Sequence, residues 1–315
     1  MNKDLLTLAA LDGPDMDTLF ERARALKERQ KSGAVGQSMR GKSLGLVFDK
    51  HSTRTRLSFE VAAIQLSGVS IFISSKDTQM ARSEPVRDTA RVLSRYLDVV
   101  AIRTYSQSYL EEFAEAAQIP VINALTDTCH PCQVLSDLFT VIEKKGGCKG
   151  LRIAWLGDGN NMAHSWINAA AALDLNLTLA CPPDYQPDPA ILAAAKSRGG
   201  KITVTDDPRA AARGADVVNT DVWASMGQEG EQEKRRAVFQ PYQVNSGLMA
   251  EAAADAIVMH CLPAHRGEEI TGEVLEGPQS VVWDQTENKL HMHKAILDVL
   301  LEGTGTLSCD AGRCK

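Results

Sequence analysis

The chain has 315 residues, of which 44% are hydrophobic and 23% charged, the balance of a soluble globular protein with length enough for two lobes of about 150 residues each. Its 34 Lys and Arg against 40 Asp and Glu leave a net charge of -6, and no basic tract is long enough to follow a nucleic-acid backbone, so no nucleic-acid partner is expected. No stretch approaches the ~20 apolar residues of a membrane helix, and the opening MNKDLLTLAALDGPDM lacks a signal pattern, so a cytoplasmic protein without membrane contact is expected.

In chain order, residues 15–31 carry apolar positions at helical spacing and predict a first helix. SLGLVF at 43–48 predicts a strand, after which Leu57, Val61, Ile64 and Leu66 mark one face of a helix. VSIFIS, DVVAIRT and IPVINAL predict three more strands, separated by the helical PVRDTARVLSRYL and SQSYLEEFAEAAQ. Such alternation predicts a parallel sheet with helices on both faces. A helix from residue 133, ended by the glycines before 150, precedes a second round. LRIAWLG, LNLTLAC, KITVTD, ADVVNT and AIVMHCL predict strands, with helices near 162–173, 188–198 and 245–253. The expected fold class is therefore α/β, two doubly wound parallel-sheet lobes divided near residue 148. A last helix is predicted at AILDVLLEG, and TGTLSCDAGRCK, residues 304–315, reads as a flexible tail.

Seven cysteines, an odd number, at 129, 132, 148, 181, 261, 309 and 314, suit a reducing compartment better than a disulfide framework. The spacing CHPC at 129–132 has the form of a dithiol redox motif, but nothing around it has the size of a thioredoxin-like unit.

Ligands of open α/β sheets bind outside the carboxyl ends of the strands, so strand-end residues are the candidates for chemistry. Ser52, Thr53, Arg54 and Thr55 follow a strand and open a helix, where unpaired N–H groups and the helix dipole favour an anion such as a small phosphate ester. The plainer reading is a helix cap at Ser52 or Thr53. Arg103 and His130 lie at strand ends of the same lobe and are placed to converge with that loop. WLGDGNNMAHS imitates a dinucleotide turn, but Met162 stands at the third glycine position and the next strand runs into Cys181, Pro182 and Pro183 rather than a ribose-binding acid. Asn160 and Asn161 at that helix start better suit the carboxylate of a small zwitterion. Asp221 ends another strand and is suited to an ammonium, and Cys261 ends an apolar strand nearby. His260, Cys261 and His265 lack the spacing of a zinc site, and His291 and His293 in HMH do not share a helix face, so no metal is expected.

The segments STRTR, HPCQ, DVWASMG and HCLPAHRGEE, in this order and spacing, together with DTARVLSRYLDVVAIRT, resemble the ornithine carbamoyltransferases along nearly the whole chain. STRTR and HPCQ alone mark the wider aspartate and ornithine carbamoyltransferase superfamily; the Ser-Met-Gly loop and the His-Cys-Leu-Pro element point to ornithine. The resemblance implies a carbamoyl phosphate domain at 1–148, with a C-terminal helix of about 286–303 packing back on it, an ornithine domain at 149–285, and a homotrimer with shared active sites. It implies that Ser52, Thr53, Arg54 and Thr55 hold the phosphate and that Arg103, His130 and Gln133 address the carbamoyl group. Gln79 would reach a neighbouring subunit's site. Asn161, Asp221, Ser225 and Met226 would hold ornithine, with Cys261 and the Leu262 carbonyl beside the reacting amine. No cofactor is implied. Lys289 stands in ENKLH where the family usually has ENR; lysine keeps the charge of that carbamoyl phosphate contact and loses the planar fork. The implied reaction gives citrulline and phosphate by direct attack of the neutral δ-amine, in arginine biosynthesis. Another amine as acceptor, putrescine or an N-acylated ornithine, is the nearest alternative, and a nucleotide-binding oxidoreductase built on GDGNN a more distant one.

Overall fold

The computed structural model describes residues 2–74, 84–224 and 229–302. Strands β1 (Ser43–Phe48), β2 (Val69–Ser74), β3 (Val99–Arg103) and β4 (Val121–Leu125) form a sheet in the order β2-β1-β3-β4. Strands β5 (Arg152–Leu156), β6 (Asn176–Ala180), β7 (Lys201–Thr205), β8 (Val217–Thr220) and β9 (Ile257–His260) form a second in the order β7-β6-β5-β8-β9. Every pairing in both sheets is parallel, and all nine predicted strands are present. Both orders reverse direction once, between β1 and β3 and between β5 and β8, and an open parallel sheet offers its ligand crevice at such a switch point.

Helices α1 (Gly13–Lys31), α2 (Thr53–Gln65), α3 (Val86–Leu93), α4 (Gln107–Ala116) and α5 (Pro131–Lys145) accompany the first sheet. The second carries α6 (Asn161–Ala172), α7 (Pro189–Ser197), α8 (Pro208–Ala212), α9 (Gln232–Phe239), α10 (Ser246–Met249) and α11 (Gly272–Leu275). Helix α12 (Val282–Glu302) then returns to pack on α1, α2 and α5. It begins at Val282, before the predicted AILDVLLEG and a little before the start near 286 that the resemblance implies; its first turns carry Gln285, Asn288 and Lys289, polar residues that hide the apolar period yet are buried.

The helix after β1 lies where expected, but of the predicted face only Leu66, at its C-cap, is buried. Thr55, Phe59, Ala62 and Ala63 point inward, while Leu57 and Ile64 are 55% and 64% exposed. The cause is α12: Phe59 stacks on the His293 ring at 3.7 Å between centroids, and the two alanines leave room for close packing, so the larger aliphatics turn outward. Arg56 lies over the Phe72 ring of β2 at 3.7 Å, and Val69, Ile71 and Phe72 continue an exposed apolar strip along this edge strand.

Candidate functional site

The first switch point is built by the ends of β1 and β3. After β1 the chain turns into α2, whose N-cap is Ser52; its hydroxyl accepts the Thr55 N–H at 3.2 Å. The capping role therefore belongs to Ser52, while Thr53 and Arg54 in the first turn keep N–H groups without an intrahelical acceptor, the usual setting for an anion. A cleft of about 570 Å³ opens beside Ser52 and Thr53, bounded by Phe48, Lys50, Arg56 and Phe72. Arg103 ends β3 where the register against β4 shifts between Ile102 and Arg103, an irregularity that re-aims the side chain. Its Nε is buried without a hydrogen-bond partner among the described residues. Burial, with the nearby Arg54 charge opposing protonation further, lowers the guanidinium to about 10.

His130 occupies the N-cap position of α5 ahead of Pro131, and its own N–H donates to Ser165 Oγ of α6 at 2.8 Å. Its Nδ1 is buried and unpartnered among the described residues. Burial, then Lys289, Arg103 and His293, push its pKa well below 6.5, so the ring is a neutral imidazole. Lys289 reaches in from α12, where Nζ donates to Thr55 Oγ1 at 3.1 Å and to Gln133 Oε1 at 2.8 Å. Burial and the charge of Arg103 lower it to about 8. Arg54 opposes the charging of Arg103 and of Lys289, and Arg103 that of Lys289, so the three cations lie close together. Among the described residues none of the three has a carboxylate partner. Uncompensated convergent cations of this kind form a receptor for a multiply charged anion.

Beneath them runs a chain of amides and one acid. Gln133 Nε2 donates to Asp137 Oδ1 at 2.8 Å, Gln285 Nε2 donates to the same oxygen at 2.7 Å, and Gln285 Oε1 accepts the His260 N–H at 3.0 Å. Burial raises Asp137 to about 7. Neither Asp137 nor Gln285 stood out in the sequence. The only signal was an acid inside the mostly apolar run QVLSDLFTVI, whose other polar residues are uncharged.

The second switch point brings Asp221, at the end of β8, against Cys261 and Asn160. Asp221 Oδ1 accepts from Cys261 Sγ at 3.1 Å and from the Val222 N–H at 2.8 Å; Oδ2 accepts from Asn160 Nδ2 at 3.2 Å. Burial and the Asp221 charge raise the Cys261 thiol well above its usual range, so it remains protonated. Asn160 also caps α6, accepting the Met162 and Ala163 N–H groups, while Asn161 Nδ2 donates to the Thr126 carbonyl at 2.6 Å and so ties this helix to the loop after β4. Leu262 adopts φ 59, a left-handed backbone uncommon for leucine, with its N–H donated to His260 Nδ1 at 2.8 Å. His260 Nε2 pairs with the buried Glu269 at 3.0 Å. Ligand atoms of Asp221, His260 and Cys261 lie within 4.8 Å of one another, but both ring nitrogens of His260 are already spent on these bonds. The two groups of site residues face each other through His130 and Ser165 and through the Gln133, Asp137 and Gln285 chain. Gln79, Ser225, Met226 and the 304–315 tail lie outside the described residues.

Other motifs resolve into structural roles. Cys129 and Cys132 are free and buried, and burial pushes Cys132 up to about 12, the reverse of a reactive dithiol. Gly159 of the GDGNN turn is required by the chain itself: a Cβ there would meet Pro187 N at 2.3 Å and the Gln186 carbonyl carbon at 2.4 Å. The close approach that a dinucleotide fingerprint reserves for a pyrophosphate is taken up by the 186–187 backbone. In HMH, His293 faces Phe59 and Ser58, whereas His291 pairs with Glu287 at 3.4 Å.

Two family models match the chain: the carbamoyl-P binding domain of aspartate/ornithine carbamoyltransferase over residues 3–143, and its Asp/Orn binding domain over residues 149–300. An ornithine carbamoyltransferase of Syntrophus aciditrophicus is 56% identical over 302 residues, 96% of this chain and 100% of the relative. One from Desulfotalea psychrophila is 57% identical with the same coverage. Among solved structures, the ornithine carbamoyltransferase of Pyrococcus furiosus superposes with a TM-score of 0.92 at 46% identity, covering 95% of this chain and 97% of that one. The anabolic ornithine carbamoyltransferase of Campylobacter jejuni gives 0.90 at 38% identity, covering 96% of this chain and 100% of that one.

Proposed function

The chain belongs to the aspartate/ornithine carbamoyltransferase family, and we propose that it transfers the carbamoyl group of carbamoyl phosphate to the δ-amine of L-ornithine, giving L-citrulline and phosphate. The observation that carries the first half is the meeting of Arg54, Arg103 and Lys289 beside the open N-terminus of α2. Three cations and helix N–H groups match a phosphate dianion. The second half rests on Asp221 and Cys261, an acid and a protonated thiol at the facing strand ends, and on the relatives named for ornithine.

In this reading residues 1–148, with α12, bind carbamoyl phosphate and 149–285 bind ornithine. The α2 N-terminus, with Ser52, Thr53, Arg54 and Thr55, takes the phosphate. Arg103, the Thr55 hydroxyl and the neutral His130 donate to the carbonyl oxygen, and each well-placed donor to a developing oxyanion is worth about 3–4 kcal/mol. Gln133 accepts from the carbamoyl nitrogen, while the Leu262 carbonyl lies beside the reacting amine and offers a second acceptor to the carbamoyl –NH2. Asn161, Asp221, Ser225 and Met226 hold the amino-acid end of ornithine. Its δ-ammonium, with a solution pKa of about 10.4 by analogy with lysine, gives up a proton beside Asp221 and Cys261. The amine nitrogen then bonds to the carbonyl carbon, the bond from that carbon to the phosphate oxygen breaks, and the extra proton on the new C–N nitrogen passes to the departing phosphate. Phosphate leaves with the electron pair, a step that the surrounding cations favour. Holding both reactants in register between two lobes supplies much of the remaining acceleration.

The exposed strip of Leu57, Ile64, Val69, Ile71 and Phe72 beside the 570 Å³ cleft supports assembly into a trimer, with Gln79 of one subunit completing a neighbour's site. Contiguous exposed apolar surface of this kind is characteristic of protein contacts. The free cysteines suit the cytoplasm, and the likeness to the anabolic Campylobacter jejuni protein supports a place in arginine biosynthesis. The test is citrulline or analogue formation from carbamoyl phosphate with ornithine, putrescine, N-acetylornithine and aspartate in parallel. Turnover with ornithine alone is expected; efficient product from another amine would overturn the second-lobe assignment.

A further inference from the structure

Asp137 is fully buried in α5 and receives two amide donors on a single oxygen, from Gln133 at 2.8 Å and from Gln285 at 2.7 Å. These bonds decide which way each amide faces. An ammonium only donates, so Gln133, held between Asp137 and Lys289, turns Nε2 to the acid and Oε1 to the Lys289 Nζ at 2.8 Å. A carbonyl oxygen carries two lone pairs; Lys289 uses one, and the other stays available beside the Thr55 and Lys289 contact. Gln285 is fixed in the same sense, with Nε2 on Asp137 and Oε1 on the His260 N–H at 3.0 Å. His260 is the last residue of β9, and its Nδ1 accepts the Leu262 N–H at 2.8 Å, holding Leu262 in its left-handed backbone. One acid thereby sets an acceptor of the first lobe directly and, through Gln285, the turn that carries the Leu262 carbonyl.

We propose that Asp137 is the positioning residue by which the site selects a carbamoyl group over an acyl group of the same shape. The inference rests on the carbamoyl phosphate reading above. A carbamoyl –NH2 and an acetyl –CH3 are nearly isosteric, and only the first has protons to donate. Discrimination therefore depends on acceptors aimed at that point, and a buried acceptor facing a methyl is left unpaired, which penalises the wrong ligand. With Asp137 in place, both ends of the Gln133 amide are held and its oxygen faces the ligand; without it, only the Lys289 contact remains and the amide is free to swing its oxygen out of line with the carbamoyl nitrogen.

The experiment compares KM for carbamoyl phosphate with competitive inhibition constants for acetyl phosphate and inorganic phosphate, in the wild type, Asp137→Leu, Asp137→Asn and Gln285→Leu. Leucine fills the space and removes the acceptor. Asp137→Leu is expected to lower the preference for carbamoyl over acetyl phosphate on the order of ten- to a hundredfold, while inorganic phosphate binds as before. Asparagine, which keeps an oxygen for both amides, is expected to restore most of that preference. Gln285→Leu, which leaves Gln133 held, is expected to give a smaller loss of the same sign and covers the case in which Asp137→Leu does not fold. An unchanged preference in the folded variants, or equal weakening of all three ligands, would overturn the proposal. A wild type that does not bind carbamoyl phosphate would instead overturn the functional reading, and this inference with it.

Discussion

The Lys289 ammonium donates to the Thr55 hydroxyl at 3.1 Å, so the C-terminal helix supplies a charge to the helix N-terminus built 234 residues earlier in the chain. Burial and the Arg103 charge lower this ammonium to about 8; it is protonated below that pH and loses its charge above it. The kcat/KM for carbamoyl phosphate, measured at saturating ornithine, is therefore expected to fall as pH rises through about 8. Because a bound dianion pulls the proton back onto Lys289, kcat itself should show the limb at higher pH. Lys289→Arg, which does not deprotonate, is expected to abolish the limb. The same alkaline fall in that variant would assign it to another group.

Arg54 has no hydrogen-bond or ion-pair partner among the described residues. Arg54→Ala is therefore expected to leave the melting temperature within a degree or two of wild type while raising KM for carbamoyl phosphate about ten- to a hundredfold, the loss of one or more charge-assisted bonds. A large fall in melting temperature with unchanged KM would mark Arg54 as structural.

Asp221 holds Cys261, Val222 and Asn160 on its two oxygens, all in the lobe proposed to bind ornithine. Asp221→Ala is expected to raise KM for ornithine at least tenfold more than KM for carbamoyl phosphate, by a loss of roughly 1.5–3 kcal/mol on one substrate only. Steady-state kinetics with each substrate varied in turn provides the check. Equal effects on both would contradict the division of the site.

Ile64 and Leu57 are exposed on α2 although they are large and aliphatic, beside the apolar edge of β2. Replacing both with Asp is expected to convert a trimer to monomers in sedimentation velocity and to lower kcat with it. A wild-type monomer, or an active monomeric variant, would remove the shared-site reading.

Much of this was legible in the sequence, for identifiable reasons. The strands are short apolar runs bounded by turn residues; the central ones, buried on both faces, leave that signature whatever the tertiary context, and the exposed edge strand β2 is apolar as well. Ser52 to Thr55, Arg103, His130, Asp221 and Cys261 lie at strand ends, so the topology alone gathers them at the two switch points. What failed was the face of α2, where Phe59, stacked on His293, is buried and Leu57 and Ile64 turn outward. The start of α12 was also hidden from the apolar pattern, since buried Gln285, Asn288 and Lys289 bond to Asp137, Thr140 and Gln133 on α5 rather than forming an apolar stripe. Asp137 was invisible for the same reason: its partners lie four residues away on its own helix and 148 residues away on another.

The central claim is the making of one bond, between the carbamoyl carbon and the δ-nitrogen of ornithine. The most direct measurement is NMR of the reaction of 13C-carbamoyl phosphate with ornithine labelled with 15N at the δ-position only. A product carbonyl signal split by one-bond coupling to 15N, growing as inorganic phosphate appears, is the predicted result. An unsplit carbonyl signal in the product, or phosphate release without any new carbon–nitrogen bond, would contradict it.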